Sequence, residues 1–199
     1  LLRAGVALLT EKGFSAVGLE EMLAAAGVPK GSFYHYFPSK EAFGLALIDA
    51  YDSYFQRNLL QYLNNFSRTP RDRIADFITA ARAGMARHGF ARGCLVGNLG
   101  QEMGTLPESF RHRIADVFQA WEARLAACLT EAQAAGQLGP RTDPQALASF
   151  FWIGWEGAVL RAKLERSPAP IDLFAAGFFR LIPLPPPPQN PDPEGQRHA

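Results

Sequence analysis

The chain has 199 residues, of which 48% are hydrophobic and 20% are charged, and its formal net charge is +1. This ordinary globular composition allows one large or two small domains, and the near neutrality excludes a broadly basic nucleic-acid binder. No apolar run approaches the ~20 residues of a membrane-spanning helix, so we expect no membrane partner.

Apolar residues recur at helical spacing along most of the chain, and no convincing run of alternating strand residues occurs. We therefore predict an all-α protein of about nine helices joined by short loops. The predicted helices cover 1–12, two short segments within 19–37, and then 39–64, 71–88, 95–103, 108–135, 144–166 and 171–181.

The segment 19–43 contains the two short helices with a glycine turn between them. Gly27 ends the first helix, at a position where a positive φ is usually needed, and Pro29 suits the turn or the first position of the next helix. A helix, a tight turn and a second helix form the arrangement that places the second helix in the DNA major groove. Ser39 is a good N-cap for the long helix that follows.

The second short helix carries aromatic residues on more than one face. Phe33 and Phe37 are four residues apart and form the buried pair, which leaves Tyr34 and His35 pointing elsewhere, with Tyr36 near the helix end. Residues 1–65 contain five Lys or Arg and six Asp or Glu, so charge alone does not support DNA binding. The prediction of a DNA reader therefore depends on the placement of side chains.

The run GVPKGSFYHYFPSKEAF, residues 27–43, resembles the recognition-helix signature of TetR-family transcriptional repressors. The resemblance covers residues 1–50 almost position by position, and the all-α remainder also fits that family. It implies a three-helix helix-turn-helix domain over 1–50, a larger effector-binding and dimerisation domain over 51–182, and a proline-rich tail over 183–199. The residues that it would place against double-stranded operator DNA are Lys30, Gly31, Ser32, Tyr34, His35, Tyr36 and Lys40.

Two positions depart from the family pattern. Gly18 stands where a Ser or Thr cap is usual, and Pro29 stands where a turn Ser or Thr is common. Each change removes a hydroxyl that can contact a phosphate, but neither disturbs the expected fold. The mechanism implied by the family is a change in the spacing of two recognition helices, which must enter successive major grooves about 34–36 Å apart. The long helix 39–64 is the expected lever.

A second stretch of interest is GCLVGNLGQE, residues 93–102, which resembles the GCLxGN segment of a TetR subgroup. Some members of that subgroup sense electrophiles or oxidants through the cysteine. We expect Cys94 to lie at a helix N-terminus, where the dipole, helped by Arg92, lowers a thiol pKa. The alternative is a small buried apolar residue. Asn98 and Glu102 are four residues apart and are expected to line the same pocket.

The run 150–157 is apolar all round, which predicts a helix that is buried on all sides. Gly154 and Gly157 allow another helix to approach closely. The resemblance implies that the helices 144–166 and 171–181 pair with a second copy in a homodimer. Glu156 is either an internal polar anchor or a residue that reaches solvent. The candidate aromatic borders of an effector cavity are Phe118, Trp121, Trp152 and Trp155.

We thus predict a ligand-responsive repressor released from a palindromic operator by a small, partly apolar effector, such as an electrophile or a small unsaturated carboxylate. We expect no cofactor, no catalytic residue and no metal site, because His88, His112 and His198 lack metal-type spacing. A cytoplasmic location with reduced thiols is expected. Two alternatives stay open: a small all-α enzyme with Cys94 as nucleophile, and an adaptor acting through the proline-rich tail.

Overall fold

The computed structural model describes residues 1–182, and this part of the chain contains nine α-helices and no strand. The prediction of an all-α fold is confirmed. The tail 183–199, with the proposed adaptor function, lies outside the described residues. The helices are α1 (Leu2–Lys12), α2 (Leu19–Ala26), α3 (Lys30–Tyr36), α4 (Lys40–Leu63), α5 (Pro70–Ala86), α6 (Leu95–Gln101), α7 (Glu108–Ala134), α8 (Pro144–Glu165) and α9 (Ala169–Phe178).

Local sequence signals define several helix ends. Gly27 follows α2 in the left-handed conformation, with φ of 65°, as expected for a glycine cap. The Ser39 hydroxyl accepts a hydrogen bond from the Ala42 N–H at 3.0 Å, and the Asp143 carboxylate caps α8. Thr69 caps α5, one residue before Pro70. Gly18 precedes α2 without any side-chain cap, which agrees with the loss expected from the missing hydroxyl.

The first three helices pack on one another and on the start of α4. Phe33 of α3 is fully buried and meets Phe43 of α4 edge-on, with ring centroids 5.5 Å apart. Met22 of α2 is also fully buried, while α1 contacts both α2 and α4. Phe37 is only half-buried and packs at the edge of this cluster. The packing turns the opposite side of α3 towards solvent.

The remaining helices enclose an aromatic core between α4, α5, α7 and α8. Trp121 of α7 stacks on Phe55 of α4, with centroids 4.0 Å apart, and touches Trp152 of α8 at 5.2 Å. The Trp121 indole N–H donates to the buried carboxylate of Asp52 at 2.8 Å. Arg113 of α7 also donates to Asp52, at 3.1 Å. This buried cluster fixes α4 against α7.

Helices α8 and α9 pack closely at one end and expose apolar residues at the other side. A Cβ at Gly154 would overlap the Phe174 ring of α9, so this glycine permits the contact between the two helices. Gly157, by contrast, faces open space. The run 150–157 is therefore not buried on all sides, because Phe150 and Ile153 are 52% and 75% exposed. None of the nine helices has the length and hydropathy to cross a membrane.

Candidate functional site

The outward side of α3 presents polar and aromatic groups without a protein partner on that face. Tyr34 and Tyr36 are 56% and 71% exposed, unusually high for large aromatic residues. Ser32 and His35 are exposed as well. A Cβ placed on Gly31 would meet no atom within 4 Å, so the backbone is open to an approaching surface. In a helix-turn-helix, the exposed face of the second helix is the one that can enter the DNA major groove.

Lys30 and Lys40, at the two ends of this surface, differ in the groups that their ammonium groups contact. The Lys30 ammonium pairs with Glu20 at 2.9 Å, and both side chains are mostly exposed, so the lysine can exchange this partner for a phosphate at little cost. Lys40 points back into its own domain instead. Its ammonium donates to the carbonyls of Val17 at 3.0 Å and Phe14 at 3.4 Å. Lys40 therefore ties α4 to the loop between α1 and α2, a role that the sequence did not indicate.

The C-terminal end of α1 is held by the segment around α6. The Asn98 amide donates to the carbonyls of Leu9 at 3.1 Å and Thr10 at 3.0 Å, in the last turn of α1. The Gly93 N–H donates to Thr10 O at 3.2 Å, and the Lys163 ammonium of α8 donates to the same carbonyl at 3.1 Å. We call this set of contacts the α1 clasp.

Glu102 completes the α1 clasp. Its two carboxylate oxygens accept hydrogen bonds from the N–H groups of Phe14 at 2.9 Å and Ser15 at 2.6 Å. Gly13 allows this, because a Cβ there would overlap the Glu102 carboxylate, and its φ of 88° favours glycine. The expectation that Glu102 shares a pocket wall with Asn98 is therefore wrong. Glu102 lies at the far end of α6 and holds the start of the α1–α2 loop.

A cavity of about 830 Å³ lies between α1, α4, α5 and the segment that precedes α6. Its volume falls within the range of about 300–1,000 Å³ found for small-molecule sites. Its interior is aromatic, formed by Tyr51, Phe55, Phe77 and Trp155 among others, and Cys94 lies in its wall. Five residues of α1 also line it: Leu2, Arg3, Val6, Ala7 and Thr10. The cavity thus lies directly against the first helix of the DNA-binding unit.

Three of the four aromatic residues predicted to border the cavity lie elsewhere. Trp121 and Trp152 belong to the aromatic core, and Phe118 packs edge-on against Trp121 at 5.6 Å. None of the three lines the 830 Å³ cavity, which has only Trp155 among the tryptophans in its wall. The sequence pattern placed them on helices but did not separate the core face from the cavity face. The tyrosines Tyr51, Tyr54 and Tyr62, which the prediction omitted, are three of the six α4 residues in the wall.

Cys94 is the N-cap of α6, and its sulfur accepts from the Gly97 N–H at 3.4 Å. The thiol is buried, with 6% exposure. Burial raises the pKa of Cys94 well above its usual value, and the neighbouring Glu156 carboxyl raises it further, although the Gly97 N–H and Tyr51 act in the opposite direction. The expectation that the helix dipole and Arg92 lower this pKa is wrong. Desolvation exceeds the effect of one short helix, so Cys94 is a neutral thiol.

Glu156 lies beside Cys94 and is an internal polar group. A Cβ at Gly97 would overlap its Oε2 atom, so this glycine makes room for the carboxyl. Its Oε1 atom is buried and makes no hydrogen bond within the described residues. Burial raises the pKa of Glu156 to about 7, and the hydrogen bond with Cys94 lowers it slightly. Glu156 also lines a small cleft together with Cys94, Asn98 and Lys163.

Within residues 1–182 no group of three or more His, Cys, Asp or Glu side chains is arranged to hold a metal ion. The same part of the chain combines a helix that has an exposed polar and aromatic face with a partly open cavity lined by the first helix, α1. This combination defines a helix-turn-helix regulator with a built-in ligand site.

Comparison with known proteins specifies the family. The family model described as "Bacterial regulatory proteins, tetR family" matches residues 1–47, and "Tetracyclin repressor-like, C-terminal domain" matches residues 70–178. The chain belongs to the TetR family of transcriptional regulators. It is thus a DNA-binding, ligand-responsive transcriptional repressor, and operator binding as a dimer is typical of this family.

The chain is 58% identical to the transcriptional regulator AcuR of Cereibacter sphaeroides over 180 residues, which cover 90% of this chain and 82% of that protein. It is 34% identical to the repressor NemR of Escherichia coli over 185 residues, or 93% of each chain. A crystal structure of a regulatory protein TetR from Rhodobacter sphaeroides superposes with a TM-score of 0.90 at 56% identity, covering 92% of this chain and 96% of that one.

Proposed function

We propose that the DNA contacts of this repressor come from α3, through Lys30, Ser32, Tyr34, His35 and Tyr36, with Gly31 admitting the backbone to the groove. The observation that supports this set is the exposure of two tyrosines on a helix that is anchored on its other face by the fully buried Phe33. Lys40 is assigned a different role from the one the resemblance implies, because its hydrogen bonds go to backbone carbonyls of its own domain.

Selection from a random duplex pool by the native protein supplies the operator for a test. Tyr34→Ala is expected to weaken operator affinity by about 10- to 100-fold, because a base or phosphate contact contributes on the order of 1–3 kcal/mol. Lys40→Ala is the matched comparison, expected to lower thermal stability as well. Gel shift, sizing and thermal unfolding of the same preparations distinguish these effects. Unchanged operator affinity in Tyr34→Ala contradicts the assignment.

We also propose that the second copy in the dimer covers the exposed apolar face of α8 and α9. On α8 this face consists of Phe150, Ile153, Leu160 and Leu164, spaced three and four residues apart around the open Gly157. Leu173 of α9, 76% exposed, extends it. Apolar side chains in a continuous row are a typical interaction surface. Such a dimer would present two copies of α3 to one operator.

The effector is proposed to be a small, partly apolar molecule that binds the cavity at the end formed by Tyr51, Cys94 and Trp155. An electrophile such as an unsaturated carbonyl compound or a small unsaturated carboxylate would place its reactive carbon beside the thiol. In that case the sulfur bonds to the β-carbon, the C=C double bond is lost, and the thiol proton goes to the α-carbon. The buried, neutral thiol makes this reaction slow, so reversible binding is expected to precede it.

Acrylate and its saturated analogue propionate form a direct test of the electrophile class. Intact-mass analysis shows whether Cys94 is alkylated, with Cys94→Ser as the control and Cys128, also buried, as the internal comparison. Release of operator by acrylate alone, with an adduct at Cys94, supports the electrophile. Release of operator by both acids without an adduct indicates a reversible carboxylate effector instead of an electrophile. No release by either acid contradicts this effector class.

The α1 clasp is our proposed route from the cavity to the DNA. Cys94 caps the start of α6. Asn98 on that helix and Glu102 just after it hold the end of α1 and the following loop. An effector that moves the start of α6 therefore changes the hold on the DNA-binding unit, in addition to any movement of α4. A ligand shifts such an equilibrium only by its difference in affinity for the two positions.

A further inference from the structure

The 830 Å³ cavity has an uneven distribution of charge. Three arginines and one histidine lie in its wall, namely Arg3, Arg87, Arg92 and His88, and no Asp or Glu does. The whole chain contains 20 Lys or Arg and 19 Asp or Glu, so a wall with basic residues and no acidic one departs from the overall balance. A cleft lined by one sign of charge attracts the opposite sign.

The cationic groups come from three separate segments. Arg3 belongs to α1, Arg87 follows the last residue of α5, and Arg92 lies in the loop before α6. Within residues 1–182, Arg3 and Arg87 form no ion pair, and Arg92 has only a long contact of 3.8 Å to Glu11. Their side chains are therefore available to a ligand, and they have the planar donor geometry that suits carboxylates and other oxyanions.

The part of the cavity wall beside Tyr51 and Cys94 disfavours an anion. Tyr51, Cys94 and the adjoining Glu156 gather there, and burial raises the pKa of all three, because this region is poorly solvated. A carboxylate placed against Glu156 would lose its hydration and would face that carboxyl, whereas Arg92, two residues before Cys94, offers it a cation in the same wall. The aromatic side chains of the wall, Phe55, Phe77 and Trp155 among them, accept an apolar or aromatic body.

We infer that the cavity binds an elongated organic anion, with its apolar body among the α4 and α5 aromatics and its charged end on Arg3, Arg87 and Arg92. This inference rests on the proposed effector cavity and specifies its ligand class and orientation. A volume of about 830 Å³ is much more than a small acid needs. Because Arg3 is on α1, the bound anion connects the DNA-binding unit directly to the loop that precedes α6.

The test compares 6-phenylhexanoate with 6-phenylhexanamide, which have the same body but differ in charge. Calorimetric titration of the full-length protein without DNA is expected to show the acid binding at least 10-fold more tightly than the amide. The double variant Arg87→Gln/Arg92→Gln is expected to lose this preference and to keep its amide affinity. Arg141→Gln, an exposed arginine away from the cavity, is the matched control and is expected to behave as the native protein does.

Equal affinity for acid and amide, an unchanged preference in the double variant, or no binding of the acid at 1 mM would each overturn the inference. The titration uses no DNA, so its failure is distinct from a failure of the proposed operator or effector functions. Thermal unfolding of both variants verifies that a lost preference does not come from misfolding.

Discussion

Two buried carboxyl groups in the C-terminal part of this protein have opposite surroundings. Asp52 of α4 accepts hydrogen bonds from Gln56, Arg113 and Trp121, and its side chain is 7% exposed. Glu156 of α8 is half-buried as a residue, but its Oε1 atom is buried and lacks any partner within the described residues. The first group has its charge fully compensated, whereas the second is held without a counter-charge.

This difference separates a structural anchor from a responsive group. A buried carboxylate with three donors fixes the helices that carry the donors, and removing it leaves those donors unsatisfied. A buried carboxyl without a cation changes its protonation near neutral pH instead. Asp52 thus holds α4 on α7. Glu156 lies beside Cys94, which lines the cavity, and close to Asn98 and Lys163 of the α1 clasp.

The largest effect is expected from Asp52→Ala. This change leaves the Trp121 N–H buried without an acceptor and removes one of the two carboxylates that hold Arg113. We expect a loss of about 3–5 kcal/mol in the free energy of unfolding, as for other broken buried pairs. Urea unfolding at a fixed protomer concentration measures it. A loss below about 1 kcal/mol would show that Asp52 is not an anchor.

A smaller and pH-dependent effect is expected from Glu156→Gln. In the folded protein the pKa of Glu156 is about 7, above the value of about 4.3 in an unfolded chain. The folded state therefore binds the proton more tightly, and the stability of the native protein falls as pH rises from about 5 through 7. Because glutamine does not titrate, the variant should gain about 2–3 kcal/mol relative to the native protein between pH 5 and 8.

Urea unfolding at several pH values, with Asp116→Asn as a control on an exposed carboxylate, measures this difference. Cys94 and Tyr51 also contact this region, but the pKa of each is raised, so both stay protonated over this pH range. Lys163 lines the same cleft as Glu156. If the difference in stability between Glu156→Gln and the native protein does not change with pH, Glu156 is not a pH-responsive group.

The smallest effect is expected from Asp49→Ala. Asp49 is the exposed partner of Arg113, with 59% of its side chain accessible and an N–O distance of 2.6 Å. An ion pair of this kind contributes less than about 1 kcal/mol in water. Asp49 and Asp52 accept from the same arginine, so the same urea series compares them directly. We expect the smallest loss of unfolding free energy for Asp49→Ala and the largest for Asp52→Ala. Equal losses for both would show that burial does not control the contribution of these pairs.

The sequence was most informative where the chemistry is local. The turn at Gly27, the cap at Ser39 and the outward Tyr34 follow from spacing over a few residues, and the structure agrees with each. The resemblance over residues 1–50 was similarly local, and the family models match it. Lys40 shows the limit, because its spacing from the recognition helix did not reveal the two carbonyls of the α1–α2 loop that it binds.

The sequence by itself determined the helices, their ends, the face of α3 that is left free and the family, because hydrophobic periodicity, capping and turn chemistry operate over neighbouring residues. Only the tertiary structure decided which residues form the cavity and how its groups ionise. Tyr51, Cys94 and Glu156 are brought together from three helical segments. Burial at that junction, which no local pattern specifies, keeps the Cys94 thiol neutral.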